Sequence, residues 1–68
     1  MKEVVIKDDF IKLTQLLKLA DLVSSGGESK NVILDGLVKL NGNVEIKKGK
    51  KIYRNDIVEY DGQKIIVK

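Results

Sequence analysis

Residues 24–42 of the chain read Ser24-Ser25-Gly26-Gly27-Glu28-Ser29-Lys30-Asn31-Val32-Ile33-Leu34-Asp35-Gly36-Leu37-Val38-Lys39-Leu40-Asn41-Gly42. Ser25 and Glu28 predict a capping box, in which the serine oxygen would accept from the Glu28 N–H and the glutamate from the Ser25 N–H. Apolar or small residues then recur at helical spacing as far as Gly36, which suits a left-handed residue after the last turn. Asn41-Gly42 is a strong hairpin signal because both residues tolerate positive φ. The stretch therefore predicts a helix, a short strand and a tight turn.

The segments on either side complete an α+β pattern. Residues 2–7 suit a first strand, and a leucine stripe within residues 11–23 predicts a first helix. Further short strands are predicted over residues 43–46, 57–60 and 63–67, and Asp61-Gly62 is predicted as a two-residue hairpin turn between the last two. We expect one domain over residues 1–68, an α+β fold with a two-helix hairpin packed on a small, curved, mostly antiparallel sheet. The expected core consists of Leu13, Leu16, Leu17, Ala20, Val32, Ile33, Val38, Leu40, Val44, Ile52, Ile57 and Val58.

Composition excludes several classes of site. The 68 residues contain neither cysteine nor histidine, so disulfides, zinc sites built on these residues and imidazole-activated nucleophiles are excluded. Asp8 and Asp9 are interpreted as a solvated turn, because two adjacent carboxylates make a poor cation site. No signal peptide or membrane-spanning run is evident. We expect no metal, no cofactor and no membrane contact.

Positive charge is concentrated in one segment. Four lysines and an arginine fall within residues 47–54, with no acid among them. They are either a solvated loop or a set of phosphate contacts. Two further features stay open: Gly26 and Gly27 are a phosphate cradle or only a tight loop, and Lys12 and Lys18 are solubilising charges or part of a basic face.

The order of these motifs resembles the S4-like RNA-binding domain over residues 11–60, and in particular its short standalone bacterial members. The resemblance implies that residues 1–68 form a single S4-like domain and that the helix hairpin and sheet form an alpha-L motif. The matching segments are Leu13-Thr14-Gln15-Leu16-Leu17-Lys18, Leu17-Lys18-Leu19-Ala20-Asp21-Leu22, Ser25-Gly26-Gly27-Glu28-Ser29-Lys30, Ile33-Leu34-Asp35-Gly36, Val38-Lys39-Leu40-Asn41-Gly42, the basic segment Lys47 to Lys51, and Asn55-Asp56-Ile57-Val58. Three positions depart from the family pattern. Gly26 and Thr14 stand where many members have basic residues, and Asn55 replaces a glycine.

The resemblance implies a non-catalytic, cytoplasmic, monomeric protein that binds structured RNA, ribosomal or ribosome-associated, with a ribosomal or RNA-associated protein as a further partner. The expected RNA-binding residues are Lys12, Lys18, Ser25, Lys30, Asn31, Lys47, Lys48, Lys50, Lys51 and Arg54. Aromatic residues are scarce (Phe10, Tyr53 and Tyr60), which argues against a single-strand stacking platform. The alternative function is a small protein-interaction adaptor, which exposure of Leu34, Leu37 and Tyr53 in one patch would favour.

Overall fold

The computed structural model describes residues Met1–Lys68 and contains two helices, α1 over Leu13–Leu19 and α2 over Gly26–Leu34. Seven strands accompany them: β1 Lys2–Val4, β2 Ile11–Lys12, β3 Val38–Leu40, β4 Asn43–Val44, β5 Lys51–Ile52, β6 Ile57–Tyr60 and β7 Gln63–Val67. A five-stranded sheet has the order β1-β7-β6-β3-β4, and β2 pairs with β5 in a separate small sheet. Only β1 and β7 run parallel. The predicted class, two helices with a mostly antiparallel sheet, is confirmed.

The first helix is shorter at both ends than predicted. Ile11 and Lys12 form β2 instead, and the helix ends before Ala20. Its end is a Schellman motif, in which the Asp21 N–H donates to the Lys18 carbonyl and the Leu22 N–H donates to the Leu17 carbonyl. Asp21 adopts the left-handed conformation, with φ of 60°. No glycine marks this position, so the sequence pattern carried the predicted helix past its real end.

The second helix begins and ends where the sequence predicts. Ser25 is its N-cap, and the Ser25 Oγ accepts from the Glu28 N–H at 3.1 Å. The other half of the predicted capping box is wrong, because Glu28 accepts from the Ser24 N–H and Ser24 hydroxyl, each at 2.8 Å. The carboxylate therefore bonds to Ser24, one residue before the predicted partner Ser25, and one of its oxygens accepts two hydrogen bonds there. Gly36, with φ of 77°, closes a second Schellman motif.

The predicted hairpins are both present. Asn41 and Gly42 join β3 to β4, and Asp61 and Gly62 join β6 to β7. All four residues have positive φ, as a two-residue turn of type I′ requires. Asn41 also ties its hairpin to the chain before β6, since its side-chain amide donates to Asp56 and accepts from the Ile57 N–H.

The core lies between the two helices and one face of the sheet. Its 14 buried apolar residues include most of those predicted, together with five that were missed: Val4, Ile6, Val23, Ile65 and Val67. Val44 was predicted as core but is 55% exposed. It lies on edge strand β4 directly opposite the exposed Lys39, and cross-strand partners share a face of the sheet. Leu40 and Ile57 are half-buried.

Candidate functional site

The lysine loop, residues 47–51, is fixed by its backbone to the beginning of α1. The Lys50 carbonyl accepts from the Leu13 N–H at 2.9 Å, and the Lys48 carbonyl accepts from the Thr14 N–H at 3.4 Å. These are amides of the first turn, which have no partner within a helix. The loop therefore caps α1 through its carbonyl groups. All four of its lysines are exposed.

The small β2–β5 sheet fixes the far end of this loop. Ile52 has no exposed surface, and it pairs with Ile11. The next pair places Lys12 directly opposite Lys51, and both side chains are exposed. Like charges in this arrangement repel and destabilise a sheet. An anion bound between or beside them would remove that repulsion, so this position favours a negatively charged ligand.

The beginning of α2 is attached to the same end of α1. The Ser29 hydroxyl, which is completely buried, donates to the Thr14 carbonyl at 2.9 Å. Lys30 and Asn31 follow Ser29 and are exposed. The first turns of both helices and the lysine loop therefore meet at Thr14. Six predicted residues belong to this region: Lys12, Lys30, Lys47, Lys48, Lys50 and Lys51.

The N-terminus of α2 carries its own negative charge. Hydrogen bonds from the backbone and hydroxyl of Ser24 lower the pKa of Glu28 and so favour its carboxylate form. It lies in the first turn, where the helix dipole favours an anion. A phosphate at Gly26 and Gly27 would meet this carboxylate. The arrangement favours the tight-loop interpretation, with Ser25 as the helix cap.

Two predicted cations lie apart from the loop. Lys18 is in the last turn of α1 and borders an apolar cleft of about 670 Å³ that Val5 and Leu19 also line. The Arg54 Nη2 donates to the Ile6 carbonyl at 2.9 Å. Arg54 thus holds the chain that follows β1, in addition to any contact it makes with a ligand.

Sequence reasoning missed an aromatic pair beside the loop. The ring centroids of Phe10 and Tyr53 are 6.1 Å apart, although 43 positions separate the two residues in the chain. Pairing of β2 with β5 brings them together, and neither strand had been predicted. Tyr53 is therefore part of the lysine-loop region, whereas Leu34 and Leu37 lie at the C-terminal end of α2.

Charge is distributed unevenly over the molecule. The segment from Lys47 to Arg54 holds five of the 13 basic residues, and the remaining eight are outnumbered by 10 acidic residues. The net charge of +3 thus arises from this segment. No group of three or more His, Cys, Asp or Glu residues is placed to hold a metal ion. No helix has the length and apolar character needed to cross a membrane.

The fold defines a class of small α+β domain in which a basic loop lies against a pair of helices. The chain belongs to the S4 domain family, whose model matches residues 4–68. The resemblance noted from the sequence is thereby confirmed. Among similar proteins, the "Probable ribosome maturation protein RlbA" of Bacillus subtilis is 39% identical over 57 residues, covering 84% of this chain and 80% of that protein. YbcJ of Escherichia coli is 36% identical over 61 residues, covering 90% of this chain and 87% of YbcJ.

The solution structure of E. coli YbcJ is also similar to this fold. Its TM-score is 0.75 at 34% identity, and the match covers 98% of this chain and 86% of that one. That structure is described as having an "alfaL motif involved in RNA-binding". At this identity and TM-score the two chains share the same fold.

Proposed function

We propose that this protein is a non-catalytic RNA-binding protein whose lysine loop contacts phosphates of structured RNA. The observation that carries the proposal is the attachment of the loop: its carbonyls cap α1, three of its exposed lysines (Lys47, Lys50 and Lys51) line one depression, and Lys12 lies opposite Lys51. A preformed set of cations suits a phosphate backbone, whose contacts dominate affinity without reading sequence. The description of the similar YbcJ structure, an alfaL motif involved in RNA-binding, supports the same ligand.

Ribosomal RNA is the class of target we propose, either within the ribosome or in a particle that precedes it. The name of the B. subtilis relative, a probable ribosome maturation protein, supports this choice. We further propose that residues 1–68 act as one S4-like domain, as a cytoplasmic monomer and without a cofactor. Lys30 and Asn31 would extend the contact from the loop onto α2.

Two variants with the same charge change test the proposal. The loop variant K47A/K48A/K50A removes three lysines from the lysine loop. The control variant K39A/K64A/K68A removes three exposed lysines from the sheet and the chain end. Both lower the net charge from +3 to about 0, so a general effect of charge on RNA affinity would appear equally in both.

The probe is a short RNA hairpin with a double-stranded stem, and binding is measured by fluorescence anisotropy at low salt. We expect the loop variant to bind at least tenfold more weakly than the control variant. Equal affinities for the two variants would refute the lysine loop as the RNA interface. Absence of hairpin binding by the unmodified protein, together with absence of binding to ribosomal RNA fragments, would refute the function itself.

A second candidate function is docking on a ribosomal or RNA-associated protein. It is favoured by two leucines at the C-terminal end of α2, Leu34 and Leu37, which are 60% and 55% exposed. Exposed apolar patches are a common feature of protein interfaces. A protein that stays bound to the chain after nuclease treatment, and is released by L34S/L37S, would support this function. Loss of every partner on nuclease treatment would contradict it.

A further inference from the structure

Phe10 and Tyr53 occupy facing positions at the end of the β2–β5 pair. Because Ile11 pairs with Ile52 in antiparallel register, Phe10, which precedes Ile11, lies across from Tyr53, which follows Ile52. The ring planes are inclined by 55° at a centroid distance of 6.1 Å, within the range of favourable aromatic pairs. The ammonium of Lys51 lies 4.7 Å from the centre of the Phe10 ring, which is a cation–π contact.

Tyr53 is held firmly but remains half exposed. Its N–H donates to the Asp56 carboxylate at 2.8 Å, and its carbonyl accepts from the Asp56 N–H at 3.1 Å. Alternation along the strand points Ile52 inward and turns Tyr53 to the same side as Lys51. The tyrosine is 49% exposed, although its ring would contribute more to stability if buried.

The surroundings of Tyr53 combine an aromatic face with cations. The ring borders a shallow depression of about 500 Å³, whose other lining residues are Lys47, Gly49, Lys50 and Lys51. A ligand that fits must offer a flat apolar surface and negative charges a few ångströms away. A nucleotide that is not base-paired has both, whereas the bases of a continuous duplex are stacked inside the helix.

We propose that Tyr53, supported by Phe10, stacks on one unpaired RNA base while the lysine loop contacts the flanking phosphates. The inference rests on the proposed function and narrows it to RNA in which a bulge, loop or end interrupts a double-stranded stem. One exposed tyrosine serves one base, so the site differs from the platforms that stack successive bases of a single strand.

Three RNAs test the inference with the unmodified protein: a stem with a single bulged adenosine, the same RNA with an abasic ribose at the bulge, and a fully paired stem. The abasic RNA keeps every phosphate and the interruption of the stem, so it removes only the base. We expect it to bind about 5- to 140-fold more weakly than the adenosine RNA, the range for loss of one base–aromatic stack. Equal binding of the adenosine and abasic RNAs would overturn the inference.

Variants of Tyr53 then assign the effect to the ring. Y53A should reduce affinity for the adenosine RNA to that for the abasic RNA, and should leave the abasic RNA unaffected, since paired effects on one contact are not additive. Y53F should behave as the unmodified protein. Equal weakening of all three RNAs by Y53A would overturn the inference. Loss of RNA binding in K47A/K48A/K50A alongside an indifferent Tyr53 would refute only the stacked base and leave the proposed function standing.

Discussion

Ile52 is the residue through which the lysine loop is attached to the core, and its truncation should be costly. The side chain has no exposed surface. Ile52→Ala removes three carbon atoms, worth about 0.8 kcal/mol each for transfer from water, and leaves a cavity whose lining loses contacts. Substitutions of this kind cost about 2–5 kcal/mol, and we expect about 3 kcal/mol. A domain of 68 residues has only about 3–10 kcal/mol in total.

Ile46→Ala is the matched control, since it deletes the same atoms from a side chain that is 57% exposed. Its effect should stay within about 0.5 kcal/mol. The free energy of unfolding is measured for both variants by urea denaturation followed by circular dichroism. If Ile52→Ala were no more destabilising than Ile46→Ala, the packing of β5 described above would be wrong, and with it the rigid attachment of the loop.

Three further predictions concern the helix ends. Gly36→Ala should lower the free energy of unfolding by about 1–2 kcal/mol, because φ is 77° there, whereas Gly49→Ala, where a Cβ meets no atom, should be neutral; equal effects would contradict the strain. Asp21→Gly should stabilise the protein by about 0.5–1 kcal/mol by relieving a left-handed residue, measured as a higher urea midpoint; a lower midpoint would contradict this. Glu28→Gln should make the free energy of unfolding depend less on pH in the acid range. Hydrogen bonds from Ser24 lower the pKa of Glu28 in the folded state, so its contribution is present above about pH 4.3 and is lost as pH falls through the lowered value. Identical pH profiles would refute it.

The sequence predicts α2 closely and α1 poorly, and the difference lies in the residues that end them. Gly36 marks the left-handed position after α2, but Asp21 fills the equivalent position after α1. An aspartate there has no distinct signature, because Asp is also favoured at helix N-caps and in turns. The same Schellman ending can thus be predicted after α2 but not after α1.

The small sheet of β2 and β5 could not be predicted from local patterns. Each strand has two residues, and the pairing of Ile11 with Ile52 joins distant parts of the chain. Val44 was assigned to the core on its apolar character, yet the face on which it lies depends on register with Lys39. Long-range pairing therefore decides what neither composition nor spacing determines.

The candidate site was only partly predictable, because part of it depends on the same long-range strand pairing. The run of lysines can be read directly from the sequence. The structure adds Lys12 to it, because strand pairing places Lys12 directly opposite Lys51. The capping of α1 by loop carbonyls involves only backbone atoms, so no residue type announces it. The sequence indicates Tyr53 only as a docking residue for a partner protein. Its position beside Phe10 follows from the pairing of β2 with β5.

The salt dependence of RNA binding tests the central claim most directly, since each neutralised phosphate contributes about 0.9 to the slope of log affinity against log salt on a duplex. The slope is measured with the double-stranded RNA hairpin for the unmodified protein, K47A/K48A/K50A and the charge-matched control K39A/K64A/K68A. We expect the loop variant to have a slope shallower by about 2 to 3, and the control to keep the original slope. Identical slopes for the loop variant and the unmodified protein would contradict the account.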